Sequence, residues 1–202
     1  MFRSMALCGF FLFFQIGCAT AGNKPVRIDF QSKQRTLCGF TFAAVKNLVI
    51  VAKPIAENSL KNRIDNERFD ACPYWVDLTY KGLTMRLDFS RDVTFDHIKN
   101  IAENRSVSVA LFAYDADGWR AESADLEIAK DAIVVQETGA GLAVSGILRR
   151  QIKGANAHEF CFGLVVIGAE NYMIGMTCKP QRNQVASLGA VFRDKTVIVA
   201  AK

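Results

Sequence analysis

Hydrophobic and polar residues alternate most clearly between positions 74 and 89. The run Tyr74–Tyr80 is followed by Lys81-Gly82 and then by the run Leu83–Phe89. A two-residue loop that ends in glycine favours a tight hairpin turn, because glycine adopts positive φ without steric cost. Closing the hairpin there puts four apolar or aromatic pairs on one face. These pairs are Tyr80 with Leu83, Leu78 with Met85, Val76 with Leu87, and Tyr74 with Phe89.

The other face of this predicted hairpin mixes polar and aromatic residues. The same register pairs Thr79 with Thr84, Asp77 with Arg86, and Trp75 with Asp88. Opposite charges that face each other stabilise a sheet. Because this register follows from hydrophobicity alone, the pairing of Asp77 with Arg86 is independent support for it.

A second stretch, from His158 to Cys178, is apolar at almost every position. It is compatible with a membrane-active segment, with a Cys–His nucleophile pair, or with a buried hairpin. With Gly168–Asn171 as the turn, a symmetric hairpin is apolar on both faces, which is typical of the centre of a sheet covered on both sides. That register pairs Cys161 with Cys178, Gly163 with Met176, Val165 with Ile174, and Ile167 with Tyr172.

Most of the remaining chain has the character of short strands separated by turns. Helices are predicted from a cap at Thr94 to Glu103 and over Ser59–Glu67. Many short strands with frequent turns predict a mainly β protein: an antiparallel β-sandwich or barrel-like single domain with one or two short helices. The strands are predicted at Val26–Gln31, Thr36–Ala43, Leu48–Ala52, Val107–Tyr114, Ser123–Ala129, Ile133–Glu137, Gly141–Arg150 and Lys195–Ala200.

Residues 1–21 have the organisation of a secretory signal peptide. Arg3 precedes the apolar run Met5–Phe14, and Ala19-Thr20-Ala21 fits the small-residue cleavage site. The apolar run is shorter than the roughly 20 residues that span a bilayer, which argues against an uncleaved anchor helix. The sequence therefore predicts export to the periplasm or the extracellular space, with a single β-rich domain over residues 22–202.

A lipid anchor at Cys18 is an alternative to this signal peptide. Ile16-Gly17-Cys18 resembles the end of a bacterial lipobox, but Gln15 stands where that motif usually has leucine. Cleavage after Ala21 is therefore favoured over lipidation. No later segment is long and apolar enough to predict a membrane span.

Four cysteines follow the predicted cleavage site, and an even number in an exported protein predicts disulfides. Four cysteines allow three connectivities. The opposed positions of Cys161 and Cys178 favour that pair, which leaves Cys38 to pair with Cys72. The chain has no C-x-x-C motif, which argues against a zinc knuckle or a thioredoxin-type site.

Charge gives little ground for a nucleic-acid partner. The formal net charge of +5 falls to +4 without residues 1–21, because Arg3 is the one charged residue among them. The basic residues are interspersed with acidic ones and form no long run, which is typical of a solvated, mildly basic surface.

The sequence predicts no catalytic, cofactor-binding or metal-binding site. On one strand, His158 and Cys161 point to opposite faces because an odd number of positions separates them. No G-x-S-x-G motif is present. Asp115-x-Asp117-Gly118 resembles a calcium loop but lacks its third oxygen ligand and closing glutamate, which favours an acidic β-turn.

Two tryptophans lie beside arginines and are the candidate partner-binding residues. Trp75 is on the mixed face of the first hairpin with Arg86, and Trp119 precedes Arg120 after a turn. Exposed aromatic residues beside arginines are typical anchors of protein interfaces. The alternative is that a second layer covers both tryptophans and makes them part of the core.

These features predict an exported, non-catalytic binding protein, stapled by two disulfides, whose partner is another protein. A role as an inhibitor or an immunity-type factor follows by elimination, since a small stapled β scaffold without a catalytic constellation suits it. The alternatives are an envelope carrier or structural module that binds a lipid or small ligand, and a hydrolase whose residues do not stand out in the sequence.

Overall fold

A computed structural model of the chain describes residues 26–28, 34–55, 74–91, 97–128, 132–139, 141–155, 157–168, 171–195 and 197–201. Within these residues there are two helices, α1 (His97–Ala102) and α2 (Arg182–Asp194). The strands of the same residues are β1 (Val26–Ile28), β2 (Gln34–Leu37), β3 (Phe40–Ala43), β4 (Leu48–Pro54), β5 (Tyr74–Tyr80), β6 (Leu83–Arg91), β7 (Val107–Val109), β8 (Phe112–Asp115), β9 (Gly118–Ala121), β10 (Leu126–Glu127), β11 (Ile133–Thr138), β12 (Gly141–Gln151), β13 (His158–Ile167), β14 (Asn171–Lys179) and β15 (Ile198–Ala201).

A nine-stranded antiparallel sheet organises the described part of the chain. Its strand order is β1-β4-β5-β6-β14-β13-β12-β10, and β11 also pairs with β12. Two three-stranded sheets, β15-β3-β2 and β7-β8-β9, accompany it. The predicted mainly β class, with antiparallel sheets and two short helices, is therefore confirmed. The choice between a sandwich and a barrel stays a prediction.

The hairpin β5–β6 has the register that the alternation predicts. Tyr80 pairs with Leu83 at the turn, and Asp77 pairs with Arg86 further along. The turn residues Lys81 and Gly82 both have positive φ, 47° and 80°, as a type I′ hairpin turn requires. The ladder ends at Val76–Leu87, so the two outermost predicted pairs lie beyond it.

The hairpin β13–β14 also has the predicted register, from Cys161–Cys178 to Ile167–Tyr172. It lies inside the large sheet between β6 and β12. Every residue from Cys161 to Ile167 is buried. The prediction of a hairpin covered on both faces is therefore confirmed.

Different elements cover the two faces of the large sheet. The first face packs against α2 and the sheet β15-β3-β2 in a core that includes Phe40, Leu78, Leu164, Leu188 and Phe192. The second face packs, at β12–β14, against α1 and the sheet β7-β8-β9 in a core that includes Ile98, Phe112, Val144 and Val165. Alternation along each strand decides which face a side chain joins.

Helix α2 corrects the sequence-based assignment, which places no helix there. Its buried residues Val185, Leu188 and Phe192 recur at intervals of three and four, as expected for one apolar stripe. Phe192 stacks on Phe162 of β13 with ring centroids 5.2 Å apart. The strand predicted at Lys195–Ala200 starts later, at Ile198, because helix α2 extends to Asp194.

Two predicted strands are each divided by a tight turn. Thr36–Ala43 is split between β2 and β3 by Cys38 and Gly39, which have positive φ of 50° and 86°. Val107–Tyr114 is split between β7 and β8, where Ala110 has a φ of 56°. The turn at Ala110 was missed because Ala and Leu carry no turn signal of their own, whereas the turn at Cys38-Gly39 does contain a turn residue, Gly39, that the strand prediction passed over.

Several predictions concern residues outside the described part of the chain, and they stay predictions. They include the signal peptide at 1–21, the cap at Thr94, the helix over Ser59–Glu67, and Cys72. Of the strand predicted at Ser123–Ala129, the structure has β10 alone, and Ala129 is outside the described residues. No helix of the described part is long and apolar enough to cross a membrane.

Candidate functional site

Cys161 and Cys178 form a disulfide across β13 and β14, with their Cα atoms 3.9 Å apart. The first predicted pairing is therefore confirmed, and Cys161 has no free thiol in this state. Cys38 is also disulfide-bonded, but its partner is not among the described residues. The pairing of Cys38 with Cys72 therefore stays a prediction.

Two polar residues, Glu159 and His158, precede Cys161 on β13. A carboxylate oxygen of Glu159 and the two sulfurs lie within 4.8 Å of one another, which is a spacing compatible with metal ligands. The sulfurs are bonded to each other, however, and Glu159 accepts a hydrogen bond from Nε of Arg150 at 2.7 Å. His158 lies on the opposite face of β13 from Cys161. Its Nδ1 is buried, without a hydrogen-bond partner among the described residues.

Two of the predicted partner-binding residues, Trp75 and Arg86, lie together. The Arg86 guanidinium stands over the Trp75 ring, with its carbon 5.1 Å from the ring centroid. Nε of Arg86 is 3.4 Å from Asp77 Oδ1, and Nζ of Lys53 donates to Asp77 Oδ2 at 2.6 Å. We call these four residues, Lys53, Trp75, Asp77 and Arg86, the tryptophan–arginine patch.

Asp77 is the buried centre of the tryptophan–arginine patch. Its side chain is 10% exposed, whereas those of Lys53 and Arg86 are 45% and 55% exposed. Burial by itself raises the pKa of Asp77, but the hydrogen bonds and positive charges of Lys53 and Arg86 outweigh it, so the pKa is lowered. Asp77 is therefore ionised at neutral pH and forms an ion pair with each of the two cations.

The patch lies on the second face of the large sheet. Arg86 pairs with Met176 of β14, whose side chain belongs to the core that β7-β8-β9 and α1 cover. No residue of β4, β5 or β6 belongs to that core, as far as the described residues go. The two small elements thus cover β12–β14, and the patch occupies the neighbouring part of the same face. Trp75 is half-buried there, so it is neither fully exposed nor a core residue.

Trp119 and Arg120, the other two predicted residues, lie on β9 in a different sheet. The ring of Trp119 packs against Tyr114, with centroids 5.3 Å apart, and contributes to the second core. Nε of Arg120 donates to Asp115 Oδ2 at 3.0 Å. The backbone N–H of Asp117 donates to Asp115 Oδ1 at 2.9 Å, so Asp115–Gly118 is the predicted acidic β-turn.

A cleft of about 550 Å³ lies between β9 and the segment Leu126–Ile128. Its lining contains the carboxylates of Asp115, Asp117 and Glu127 and the one guanidinium of Arg120. Trp119 also lines it. The cleft therefore combines an aromatic surface with an excess of negative charge.

The structure adds residues that the sequence-based search missed. Lys53 joins the patch because β4 pairs with β5 and brings Lys53 opposite Trp75. Glu127 joins the cleft because β10 ends the large sheet close to β9. Neither neighbour follows from local spacing. The apolar, β-branched run at Leu48–Ala52 is a signal for a strand, but it does not state which strand is beside it.

No family model, no curated protein and no solved structure matches this chain. Its class is therefore defined by its own geometry: a mainly β protein with a disulfide-linked central hairpin, a tryptophan–arginine patch and a separate acidic cleft.

Proposed function

We propose that this chain is an exported, non-catalytic binding protein that acts on another protein as an inhibitor or immunity-type factor. The observation that carries the proposal is the tryptophan–arginine patch. Tryptophan and arginine are the residue types most enriched at the energetic centres of protein interfaces. A guanidinium stacked on an indole ring and held by a carboxylate loses little side-chain entropy when a partner binds.

The position of the patch also favours a protein partner over a small ligand. The side chains project from a sheet face at β4–β6, and Thr79 and Thr84 continue that face with a hydroxyl–hydroxyl hydrogen bond of 2.8 Å. A sheet face with an aromatic–arginine centre and a polar surround has the layout of an interface core and its rim. The disulfide and the lack of a membrane-spanning helix in the described part are compatible with export.

The test begins with residues 22–202 immobilised and exposed to extract from the envelope or culture medium of the source cells. Any captured protein is then purified, and its affinity is measured for wild type and for Arg86→Ala. We expect at least a tenfold loss of affinity, since truncating a hot-spot residue typically costs about 2 kcal/mol or more and about 1.4 kcal/mol corresponds to a factor of ten.

The matched control is Arg105→Ala, which removes an arginine that is 68% exposed and pairs with Glu103 near α1. This variant should bind as wild type does. Equal losses in both variants, or none in Arg86→Ala, would count against the patch as the binding surface.

A second candidate function, an envelope carrier of a lipid or small ligand, has one observation in its favour. A cleft of about 380 Å³ is lined by Ile147 and Phe160 together with two arginines, Arg149 and Arg182, and one carboxylate, Glu127. Glu127 lies 3.4 Å from Arg149, so the lining keeps an excess of one positive charge, which suits an anionic amphiphile. Native mass spectrometry of protein purified without detergent distinguishes the two. A carrier releases a bound small molecule on denaturation, and a protein-binding factor releases none.

A further inference from the structure

The cleft beside Trp119 is flanked by the last strands of two sheets. Strand β9 ends the order β7-β8-β9, and β10 ends the order of the large sheet. A strand at the end of a sheet has one side without a neighbouring strand, and an extended peptide can add to it. The cleft of about 550 Å³ supplies the space beside β9.

The hydrogen-bonding pattern of β9 shows which backbone groups point away from β8. The N–H of Glu122 donates to the carbonyl of Leu111 at 3.1 Å. Because bonded and non-bonded pairs alternate along an antiparallel ladder, the N–H and C=O groups of Trp119 and Ala121 point away from β8. Of these four groups, the Ala121 carbonyl accepts a bond of 3.3 Å from its neighbour Arg120. No backbone bond to the other three is found among the described residues.

The charge of the cleft defines the partner further. Three carboxylates and one guanidinium line it, whereas the whole chain has a net charge of +5. Asp115 is paired with Arg120, and Glu127 lies 3.4 Å from Arg149. The exposed Asp117 carboxylate has no ion pair within the described part of the chain. Trp119 adds an indole ring, which attracts a cationic side chain placed over its face.

We propose that this cleft binds an extended segment of the partner protein that carries a lysine or arginine, with the segment adding as a strand to β9. Main-chain hydrogen bonds to Trp119 and Ala121 hold the strand, and Asp117 and the Trp119 ring receive the cationic side chain. The inference rests on the proposed protein-binding function, but it concerns a surface other than the tryptophan–arginine patch.

The test uses residues 22–202 carrying Trp75→Phe. This change leaves Trp119 as the single tryptophan, since the chain has two, so its fluorescence reports on the cleft. Three blocked hexapeptides serve as probes: one alternates lysine and valine, one replaces lysine with glutamate, and one is the lysine peptide with alternate amides N-methylated. N-methylation removes main-chain donors without changing a side chain.

We expect the lysine peptide to give a saturable fluorescence change and to bind at least tenfold more tightly than either other peptide. It should also slow hydrogen exchange of the Trp119 and Ala121 amides at least tenfold. Equal binding of the lysine and N-methylated peptides, or binding without protection of these amides, would overturn strand addition in favour of a simple cation site. No saturable change up to millimolar lysine peptide would overturn the inference altogether.

Asp117→Asn tests the charge contribution with little risk to folding, because Asp117 is exposed in a turn. This variant should lower the affinity for the lysine peptide at least threefold. The control Glu103→Gln, which removes another exposed carboxylate, should leave that affinity unchanged. If the lysine peptide does not bind while the affinity for a captured protein still depends on Arg86, the inference about the cleft is wrong and the proposed function stands. If the peptide binds but no captured protein depends on Arg86, the proposed role of the patch fails instead.

Discussion

The hairpins β5–β6 and β13–β14 follow the same pairing rules but have different surroundings. In β13, seven consecutive side chains from Cys161 to Ile167 are buried. In β6, burial alternates from Leu83 to Leu87, and the intervening Thr84 and Arg86 are exposed. The difference lies in the second face of the sheet, which α1 and β7-β8-β9 cover at β12–β14.

This contrast indicates where function is to be sought. A hairpin buried on both faces specifies the fold, because its side chains are fully used in packing. A hairpin buried on one face can carry polar residues on its other face, and in β5–β6 that face carries Trp75, Asp77 and Arg86. Substitutions in β13–β14 should therefore change mainly the stability of the protein, and substitutions on the polar face of β5–β6 should change mainly its affinity for a partner.

The largest effect is expected from Leu164→Ala in β13. Leu164 is completely buried, so the free energy of unfolding should fall by about 2–5 kcal/mol in a denaturant titration. The matched change on the polar face of the other hairpin, Thr84→Ala, should cost about 1 kcal/mol or less, because Thr84 is exposed and loses its hydrogen bond to Thr79. Similar losses in the two variants would show that the faces do not differ as described.

Removing the disulfide is expected to rank next. The double variant Cys161→Ala/Cys178→Ala loses a link between residues separated by 17 positions. The chain-entropy treatment gives about 3 kcal/mol for a loop of this size, measured as the loss of unfolding free energy. Reduction of the wild-type protein should give a larger loss, because it also breaks the disulfide of Cys38. A double variant as stable as wild type would show that packing alone holds β13–β14.

A smaller loss of unfolding free energy, about 1 kcal/mol at neutral pH, is expected from Asp77→Asn. The variant removes a charge-assisted contact to both Lys53 and Arg86, but both cations are about half exposed and are screened by solvent. Urea titration of the two proteins at neutral pH measures the difference.

The same carboxylate predicts a dependence on pH. The pKa of Asp77 is lowered in the folded protein, so its stabilising contribution is complete above the ordinary value of 3.8 and is lost as the pH falls through the folded value. Between about pH 5 and pH 2, wild type should therefore lose more stability than Asp77→Asn. Parallel curves for the two proteins would contradict this role of Asp77.

Between the two variants of the patch, the smaller effect on stability is expected from Arg86→Ala. An exposed cation–π contact and a screened ion pair together contribute about 0.5–1 kcal/mol. The affinity for a captured partner should nevertheless fall at least tenfold, which separates binding from folding. A loss of stability as large as that of Leu164→Ala would instead make Arg86 a structural residue.

Only part of the candidate site could be predicted from the sequence. Arg86 could be placed beside Trp75 because both lie on one face of a hairpin whose register follows from alternation. Lys53 could not be added, since it lies 22 positions before Trp75, and the strand that pairs with β4 depends on sheet order. The acidic cleft was missed for the same reason, because it forms where two separate sheets end.

Local features of this protein follow from the sequence alone: two hairpin registers, the opposition of Cys161 and Cys178, and the acidic turn at Asp115–Gly118. Each depends on contacts between residues close in the chain, where side-chain period and turn geometry leave few alternatives. Strand order, the packing of helix α2 and the coverage of the second face were decided by tertiary structure. They depend on which distant apolar surfaces meet, and many pairings of such surfaces satisfy the same hydrophobic pattern.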